Sequence, residues 1–307
     1  MKVVPISDSV ALQQPAATTV GFFDGVHRGH RYLIEQLKKH AQTLNLPASV
    51  VTFSAHPKKI LQPGRSLQLL NSYDERIRQL ASTGLDYCYL IPFTQAFSEL
   101  TAEEFIQKIL HKQLNIRFLL IGYDHKFGRG CTQDFADYAE IGHTCGIQVV
   151  QAKEWRNPDV SISSTQIRHA VQSGDMQRAA EMLSYPYTLE GIVVEGNHLG
   201  RTIGFPTANL SLNESDKLLP PNGVYASTVI VNEQPHKAMT YIGERPTLAL
   251  CGEKRIETYL FHFNQNLYGQ NLRIELHRFI RSDMTFGNLE ELRAQLLSDQ
   301  RLAEVVK

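Results

Sequence analysis

The sequence lacks an excess of charge of either sign. Among its 307 residues, Lys and Arg together number 31 and so do Asp and Glu, which gives a formal net charge of zero. Domains that bind nucleic acid usually present a strongly basic surface. We therefore expect no nucleic-acid partner, and an anionic ligand must be held by a few local groups.

Cysteines and long apolar runs are also scarce. The four cysteines, Cys88, Cys131, Cys145 and Cys251, form no C-x-x-C pair, which favours ordinary reduced thiols over a disulfide framework or a zinc site. No stretch approaches the roughly 18 apolar residues of a membrane span. The N-terminal MKVVPISDSV has no charged segment followed by an apolar one, so we expect no secretory signal. These absences predict a cytoplasmic protein without a membrane partner, and a monomer is the default expectation.

The first half of the chain alternates between strand-like and helix-like patterns. Apolar strand patterns cover 17–22, 47–53, 85–91, 117–122 and 146–151, and helical patterns cover 29–44, 74–83, 102–114 and 135–145. Two short helices, 164–172 and 175–183, close this half. Strands that alternate with helices of this length predict an α/β fold with a doubly wound parallel sheet.

The pattern changes near residues 184–187. Strand-like runs follow at 189–195, 224–231, 238–242, 256–263 and 272–280, and a helical pattern covers 289–305. The turn-rich residues 264–270 predict a hairpin between the last two strands. This half is expected to be a small antiparallel β-barrel with a C-terminal helix. We place the boundary at Ser184, which gives domains 1–184 and 185–307.

A segment rich in glycine and histidine follows the first predicted strand. It reads GFFDGVHRGH and leads into the first helix. Glycines let the backbone approach a phosphate closely, and a helix N-terminus offers free N–H groups to an anion. Alone, the short motif is also compatible with surface histidines at a turn. The candidate phosphate-binding residues are Gly21, Phe23, Asp24, Gly25, His27, Gly29 and His30.

A second segment, ISSTQIR at 162–168, opens one of the short helices that close this half. On its own, a plain helix cap followed by a solvated arginine explains it equally well. Together with H-x-G-H, it resembles the nucleotidylyltransferases of the H-x-G-H superfamily. The resemblance implies that a substrate phosphate attacks the α-phosphorus of ATP and expels pyrophosphate. It implies catalytic roles for His27, His30 and Arg168, and phosphate binding by Ser163, Ser164 and Thr165.

Two further segments follow predicted strands, FSAHP at 53–57 and GYDHKFG at 122–128. Parallel sheets bind ligands at the carboxyl ends of their strands. The segments resemble F-x-P-H-P and G-x-D-F-x-F-G of bacterial FAD synthetases, with Ala55 for the usual proline and His125 for the usual phenylalanine. Each segment alone is also compatible with ordinary loop residues. The resemblance implies that FMN is the acceptor and that it is bound by His56, Pro57, Gly122, Asp124, Phe127 and Gly128.

The stretch GIVVEGNHLGRTIGFPTANL, residues 191–210, is the most informative of the chain. Its glycines permit backbone amides to wrap around phosphates. Thr207 and Asn209 offer neutral oxygen ligands to a hard cation such as Mg²⁺. The candidate ATP-binding residues here are Gly196, Gly200, Arg201, Gly204 and Pro206.

This stretch resembles the riboflavin kinase signature G-x-x-x-G-R-x-x-G-F-P-T-A-N. The resemblance implies that Glu257 is the catalytic carboxylate, which takes the proton of the riboflavin 5′-hydroxyl during attack on the γ-phosphate of ATP. It also implies flavin contacts from Arg281 and Phe286. Two departures from the family pattern are Asp283, where glutamate is usual, and Tyr241, where small or polar residues are common.

Taken together, the motifs resemble the bacterial family of bifunctional riboflavin kinases and FAD synthetases. The resemblance implies that riboflavin becomes FMN and then FAD, with ATP and Mg²⁺ needed at both sites. Three alternatives remain open at this point. They are another adenylyl- or cytidylyltransferase fused to a kinase, a non-catalytic flavin- or nucleotide-sensing protein in which one site has decayed, and a nucleic-acid binder.

Overall fold

The computed structural model describes residues 1–7, 11–64, 67–155, 162–196, 199–244 and 254–306. Their contacts divide the chain into two compact units. The first unit contains Met1–Leu67 and Arg76–Ser161, and the second contains Gln68–Glu75 and Ile162–Lys307. The functional boundary at Ser184 stays a prediction, because this division reflects compactness alone.

The first unit is built on a six-stranded parallel sheet, as the alternation of strands and helices predicts. The strands are β1 (Lys2–Pro5), β2 (Ala16–Val20), β3 (Ala48–Phe53), β4 (Tyr87–Ile91), β5 (Ile116–Ile121) and β6 (Gln148–Gln151). Their order across the sheet is β1-β4-β3-β2-β5-β6. From β2 the chain moves one way through β3 and β4 and the other way through β5 and β6. The switch point, where such sheets bind ligands, therefore lies between β2 and β5.

Helices pack on both faces of this sheet. They are α1 (Arg28–Thr43), α2 (Pro57–Leu61), α3 (Tyr73–Ala81), α4 (Gln95–Ser98), α5 (Ala102–Glu104), which continues as the π-helical Phe105–Gln113, and α6 (Phe135–Thr144). Neighbouring strand residues point to opposite faces. Val50 accordingly packs in one core with Ile34 and Leu37 of α1, whereas Val51 packs in the other with Ile106. Two hydrophobic cores thus enclose the sheet, which explains its near-continuous apolar strands.

Two details of the first unit differ from the sequence prediction. Strand β1 was not predicted, because Lys2–Pro5 is a short, partly exposed edge strand without a clear apolar pattern. The apolar stripe of α1 ends earlier than expected, since Leu44 lies at the helix C-cap and is 42% exposed.

The second unit is a closed antiparallel barrel with helices, as predicted. Its strands are β7 (Tyr187–Val194), β8 (Ala208–Leu212), β9 (Gly223–Val231), β10 (Gln234–Glu244), β11 (Lys254–Leu260) and β12 (Asn271–Arg281). Its helices are α7 (Ser164–Gln172), α8 (Met176–Leu183), α9 (Leu199–Thr202) and the C-terminal α10 (Leu289–Glu304). The barrel order is β10-β11-β8-β7-β12-β9, with β9 also pairing with β10.

The predicted hairpin between the last two strands is wrong. Strand β11 lies between β10 and β8, whereas β12 lies between β7 and β9. The connecting residues cross to β7 instead, where the N–H of Gly269 donates to the carbonyl of Val193 at 2.9 Å and the N–H of Val193 donates to the carbonyl of Gln270 at 3.0 Å. Strand β8 was not predicted either, although Ala208–Leu212 alternates between apolar and polar residues, because it begins inside the P-T-A-N motif, which was interpreted as a ligand-binding segment.

A buried ion pair explains why Gln68–Glu75 belongs to the second unit. The ammonium of Lys217 lies 2.6 Å from the carboxylate of Glu75, and both side chains are 2% exposed. The same ammonium donates to the carbonyl of Leu70 at 2.6 Å. Burial raises the pKa of Glu75, and Lys217 opposes this shift. Burying this carboxylate is tolerable only because it is paired and hydrogen-bonded.

The cysteine prediction is met where the structure describes these residues. Cys88, Cys131 and Cys145 are free thiols. Cys251 lies outside the described residues. In the described part of the chain, no helix has both the length and the apolar character that crossing a bilayer requires.

Candidate functional site

The turn between β2 and α1 has an unusual backbone. Phe23 and Val26 have φ angles of 59° and 36°, and Gly25 has 82°. Such angles are costly for residues with a side chain and concentrate at functional sites. A Cβ on Gly21 would lie 3.0 Å from the buried ring of Phe23, which explains the glycine there. The turn thus holds a fixed, strained shape at the carboxyl end of the central strand.

Two stacked imidazoles stand at the start of α1. His27 is the N-cap, and its Nδ1 accepts a hydrogen bond from the His30 N–H at 3.3 Å. The two rings are stacked with centroids 3.7 Å apart and 15° between their planes. A Cβ on Gly29 would lie 3.2 Å from the His27 ring, so glycine keeps this approach open. Because Nδ1 of His27 accepts, its Nε2 carries the proton and can donate to a ligand.

His30 is a neutral imidazole with an unused polar atom. Its pKa lies well below the usual value, mainly because the ring is buried and also because His27 and His125 lie near it. Within the described residues, its buried Nδ1 has no hydrogen-bond partner. A buried polar atom without a partner costs free energy, and at a candidate site it indicates where a ligand supplies the partner.

The loop after β3 brings His56 and Pro57 to this region. His56 caps the short helix α2, and its Nδ1 accepts from the Lys58 N–H at 3.0 Å. Its ring meets the ring of Phe22 edge-on at a centroid distance of 4.4 Å. Pro57 is the first residue of α2. His56 therefore lies beside the turn that carries His27.

The loop after β5 is anchored to its own unit. The ring of Phe127 stacks on Tyr138 at 4.4 Å, and the Tyr138 hydroxyl accepts from the Phe127 N–H at 3.0 Å and donates to its carbonyl at 2.9 Å. Gly128 has a φ of 88°, and a Cβ there would lie 2.6 Å from the backbone nitrogen of Ala102. Asp124 is exposed. Phe127 and Gly128 thus fix the loop that carries Gly122 and Asp124.

Sequence reasoning missed Arg76, a positioning residue of this region. Arg76 is 2% exposed, and its guanidinium donates to the carbonyls of Phe22 at 2.8 Å and Phe53 at 2.7 Å and to the Thr52 hydroxyl at 2.8 Å. It also lies 4.1 Å from the centre of the Phe22 ring. It therefore ties the carboxyl ends of β2 and β3 together. Its sequence context is an ordinary helical pattern and gave no signal.

The hydroxyl-rich segment belongs to the second unit. Ser163 caps α7 and accepts from the Gln166 N–H at 3.3 Å, and Ser164 and Thr165 form the first turn. The Nε of Arg168 donates to the carbonyl of Gln68 at 2.8 Å. The grouping of these residues with the two histidines in one site stays a prediction.

Two cavities of the second unit share the side chain of Thr207. One has a volume of about 270 Å³ and a mainly apolar and aromatic lining that includes Phe205, Met239, Tyr259 and Phe286. The other has a volume of about 590 Å³ and a more polar lining that includes Arg201, Pro206, Asn264, Gln265 and Asn266. A mainly apolar cavity and a more polar cavity therefore meet at this residue.

Glu257 lies at this meeting point. The barrel register places it opposite Asn209 of β8 and opposite Tyr241 of β10. The hydroxyl of Thr207 donates to its Oε2 at 3.4 Å, and its Oε1 lies 2.5 Å from Nε of Arg255. The side chain keeps 19% exposure toward the smaller cavity, which it lines. The structure thus brings together the predicted catalytic carboxylate and both predicted metal ligands.

The glycines of the long motif allow close backbone approach. A Cβ on Gly196 would lie 2.1 Å from the Asn209 amide nitrogen, and a Cβ on Gly200 would lie 2.2 Å from the Phe205 carbonyl oxygen. Gly204 has a φ of 87°, which favours glycine. Each of the three positions would be strained or blocked with a side chain.

Arg281 is held in place by a carboxylate that sequence reasoning missed. Its Nε lies 3.0 Å from both carboxylate oxygens of Asp299 and its Nη2 2.8 Å from Oδ2, and Asp299 is fully buried. Arg281, Asp283 and Phe286 line the smaller cavity, and the Phe286 ring centre is 5.8 Å from the guanidinium. A signal existed, since Asp299 falls on the same face of α10 as the apolar Leu292 and Leu296.

The residues at Glu257 also fit a divalent cation. Among the described residues, no group of three or more His, Cys, Asp or Glu could hold a metal. Thr207 and Asn209, two residues apart on one strand side, supply neutral oxygens beside the Glu257 carboxylate. This donor set suits a hard cation that keeps water and nucleotide phosphates as further ligands.

Comparison with known proteins gives a separate family match for each half of the chain. Residues 9–166 match the FAD synthetase family model, and residues 183–306 match the riboflavin kinase family model. The bifunctional riboflavin kinase/FMN adenylyltransferase of Escherichia coli K12 is 36% identical over 296 residues, covering 96% of this chain and 94% of that protein. Its namesake in Bacillus subtilis 168 is 35% identical over 302 residues, covering 95% and 92%.

A solved structure is similar over the full length. A crystal structure described as a macrolide-efflux protein from Streptococcus pneumoniae has a TM-score of 0.88 and 31% identity, and the match covers 99% of each chain. The FAD synthetase model matches the part of the chain that contains most of the parallel sheet, and the riboflavin kinase model matches the part that contains the barrel. The curated relatives align with nearly the whole chain. The chain belongs to the family of bifunctional riboflavin kinases and FMN adenylyltransferases.

Proposed function

We propose that this enzyme phosphorylates riboflavin to FMN in its barrel and adenylylates FMN to FAD at the site after β2, with ATP as the donor in both reactions. The observation that carries the proposal is the meeting of an aromatic and a polar cavity at Thr207, beside Glu257. The products besides the flavins are ADP in the first reaction and pyrophosphate in the second. We assign both reactions to the cytoplasm, where ATP is available.

In the kinase reaction, the smaller cavity takes the flavin ring and the larger one takes ATP. The aromatic lining suits the planar isoalloxazine, and Arg201 with the glycine-rich backbone suits phosphates. The riboflavin 5′-hydroxyl then points to Thr207, where Glu257 accepts its proton as the oxygen attacks the γ-phosphorus. An alcohol is a weak nucleophile, so this base accelerates the step. The Arg255 pair orients the carboxylate.

Thr207 and Asn209 are proposed to hold Mg²⁺ in this half. When bound there, the cation supplies positive charge to the phosphate oxygens of the donor. The glycines at 196 and 200 keep the chain close to these ligands. Arg281, fixed by Asp299, and Phe286 line the smaller cavity and are proposed to contact the flavin.

In the transferase reaction, the phosphate of FMN attacks the α-phosphorus of ATP. A phosphate is already ionised near neutral pH, so no general base is required. Catalysis comes from positioning and from donors aimed at the phosphate oxygens. The Nε2–H of His27 and the unpartnered nitrogen of His30 are such donors. We assign the β- and γ-phosphates to Ser163, Ser164, Thr165 and Arg168, and the flavin to the loops that carry His56, Pro57, Gly122, Asp124, Phe127 and Gly128.

The test is to incubate the purified protein with riboflavin, ATP and Mg²⁺ and to separate the flavins by chromatography. We expect FMN to appear first and FAD to follow, and chelation of the metal to stop both. Formation of FMN without FAD, also when FMN is supplied, would refute the transferase assignment. Unchanged riboflavin would refute the kinase assignment.

A further inference from the structure

A third histidine lies close to the pair at the start of α1. His125 is in the loop after β5, and β5 is the parallel neighbour of β2, so the two loops leave the same edge of the sheet. A Cβ on Gly122 would lie 3.2 Å from Cβ of His125 and 3.8 Å from the side chain of Leu33, a residue of α1. Because both atoms lie so close to Gly122, the Cβ of His125 is near the helix that begins with the two stacked imidazoles.

The imidazole of His125 has a polar atom without a partner. Its Nε2 is buried and makes no hydrogen bond within the described residues. The backbone N–H of His125 donates to the carbonyl of Gly122 at 3.1 Å, so the main chain is satisfied while the side chain is not. His30 shows the same feature at Nδ1, and the two rings are near enough for charge on His125 to lower the pKa of His30.

Two unpartnered nitrogens at one sheet edge are hard to explain by packing alone. Each destabilises the folded protein if nothing ever fills its hydrogen bond. A phenylalanine would fill the same space without that cost. The position therefore keeps a donor where phosphate oxygens are expected to lie.

We propose that His125 is a third phosphate-binding imidazole of the transferase site, which donates from Nε2 to a phosphate oxygen of FMN or ATP. The proposal rests on the proposed adenylyl transfer at this site. It makes residue 125 a determinant of substrate affinity. The neutral ring with its proton on Nε2 is sufficient for this role.

The experiment compares three substitutions in the full-length protein. His125→Phe keeps the ring volume and removes the donor, His125→Gln keeps an N–H near the position of Nε2, and His125→Asn keeps an amide too short to reach it. We expect His125→Phe and His125→Asn to lower kcat/KM of FAD formation about 10- to 100-fold, the loss of one hydrogen bond to a charged group. His125→Gln is expected to retain most of the activity.

Separate KM values identify the contacted phosphate. A rise in KM confined to FMN places the contact on the flavin phosphate, and a rise confined to ATP places it on the nucleotide. Riboflavin phosphorylation by the same variants should stay at the wild-type rate. His143→Gln, at an exposed position of α6, serves as the matched control and should change neither reaction.

The stability of the first unit, measured by unfolding each variant, shows whether residue 125 has only a structural role. The single tryptophan, Trp155, lies in that unit and reports its unfolding by fluorescence. Wild-type rates in His125→Phe, or equal losses in all three variants, would overturn the proposal. If the wild type itself forms no FAD, the proposed function fails instead, so the two failures are distinguishable.

Discussion

The two candidate sites stabilise the transfer of a phosphorus group with different parts. The site after β2 consists of a strained turn, two stacked imidazoles and loops at the carboxyl ends of parallel strands. The barrel site has a carboxylate in an ion pair, two neutral oxygens and two cavities that meet beside it. The stacked imidazoles lie in the first unit, and the Glu257–Arg255 pair lies in the second.

The nucleophile accounts for this difference. A phosphate attacks as an anion, and the protein needs only to orient it and to stabilise charge, which hydrogen-bond donors achieve. A hydroxyl must lose its proton during the attack, which requires a base within reach. If this comparison is right, removing the base and removing a donor should damage different reactions and by different amounts.

The largest effect is expected for Glu257→Gln. It removes the proposed base but keeps the size and polarity of the side chain, so FMN formation should fall about 10²- to 10⁴-fold. Conversion of supplied FMN to FAD should not change. Both rates are measured by chromatography with either riboflavin or FMN as the starting flavin. Glu275→Gln, another partly buried carboxyl of the same barrel that pairs with Arg273, is the matched control and should keep both rates.

His30→Asn should give the reverse pattern. Asparagine removes the ring that stacks on His27 and so displaces the donor from the reacting phosphates, which is expected to lower FAD formation about 10²- to 10³-fold, while riboflavin phosphorylation stays at the wild-type rate. His143→Asn on the exposed face of α6 is the control. Loss of both activities in a folded His30→Asn protein would contradict the separation into two sites.

Much of the fold follows from local patterns. Buried parallel strands form near-continuous apolar runs, and α1 buries Ile34, Leu37 and Ala41 at helical spacing, so both were predictable. The barrel class followed from alternating strands. Its strand order did not, because β11 and β12 are neighbours in sequence but pair with other strands. Long-range pairing of this kind leaves no mark in local periodicity.

Prediction of the site residues from local sequence has the same limit. The motif residues His27, His30, Thr207 and Glu257 are recognisable because their chemistry and spacing are unusual. Arg76 and Asp299 are not part of a motif, and each acts by holding another residue. A charged residue on a buried helix face is the only local sign of such a role, and Asp299 had that sign.

Arg76→Lys tests a residue that only the structure identified. Lysine lacks the planar fork that bonds the ends of β2 and β3 at once, so we expect a loss of about 2 to 4 kcal/mol in the stability of the first unit. FAD formation should fall about tenfold through the displaced turn, and FMN formation should not change. Urea unfolding followed by Trp155 fluorescence measures the stability. Arg78→Lys, exposed on the same helix, should match the wild type.

The smallest effect concerns pH. Burial and neighbouring imidazoles lower the pKa of His30 well below its usual value in the folded protein. As the pH falls below about 6.5, the imidazole of His30 binds a proton in the unfolded chain but stays neutral in the folded protein. Acidification therefore lowers the stability of the first unit. The loss of stability from this one group grows as the pH falls further below that of the free imidazole.

His30→Asn removes that contribution and should therefore lose less stability than the wild type on acidification. The lowered pKa of His125 acts in both proteins and cancels in the comparison. Urea unfolding at several pH values, followed by Trp155 fluorescence, provides the two curves, and His143→Asn should follow the wild type. Parallel curves for His30→Asn and the wild type would mean that His30 ionises freely in the folded protein. The transferase site would then meet its phosphates with a charged imidazole, and its difference from the carboxylate-based kinase site would be one of charge as well as of geometry.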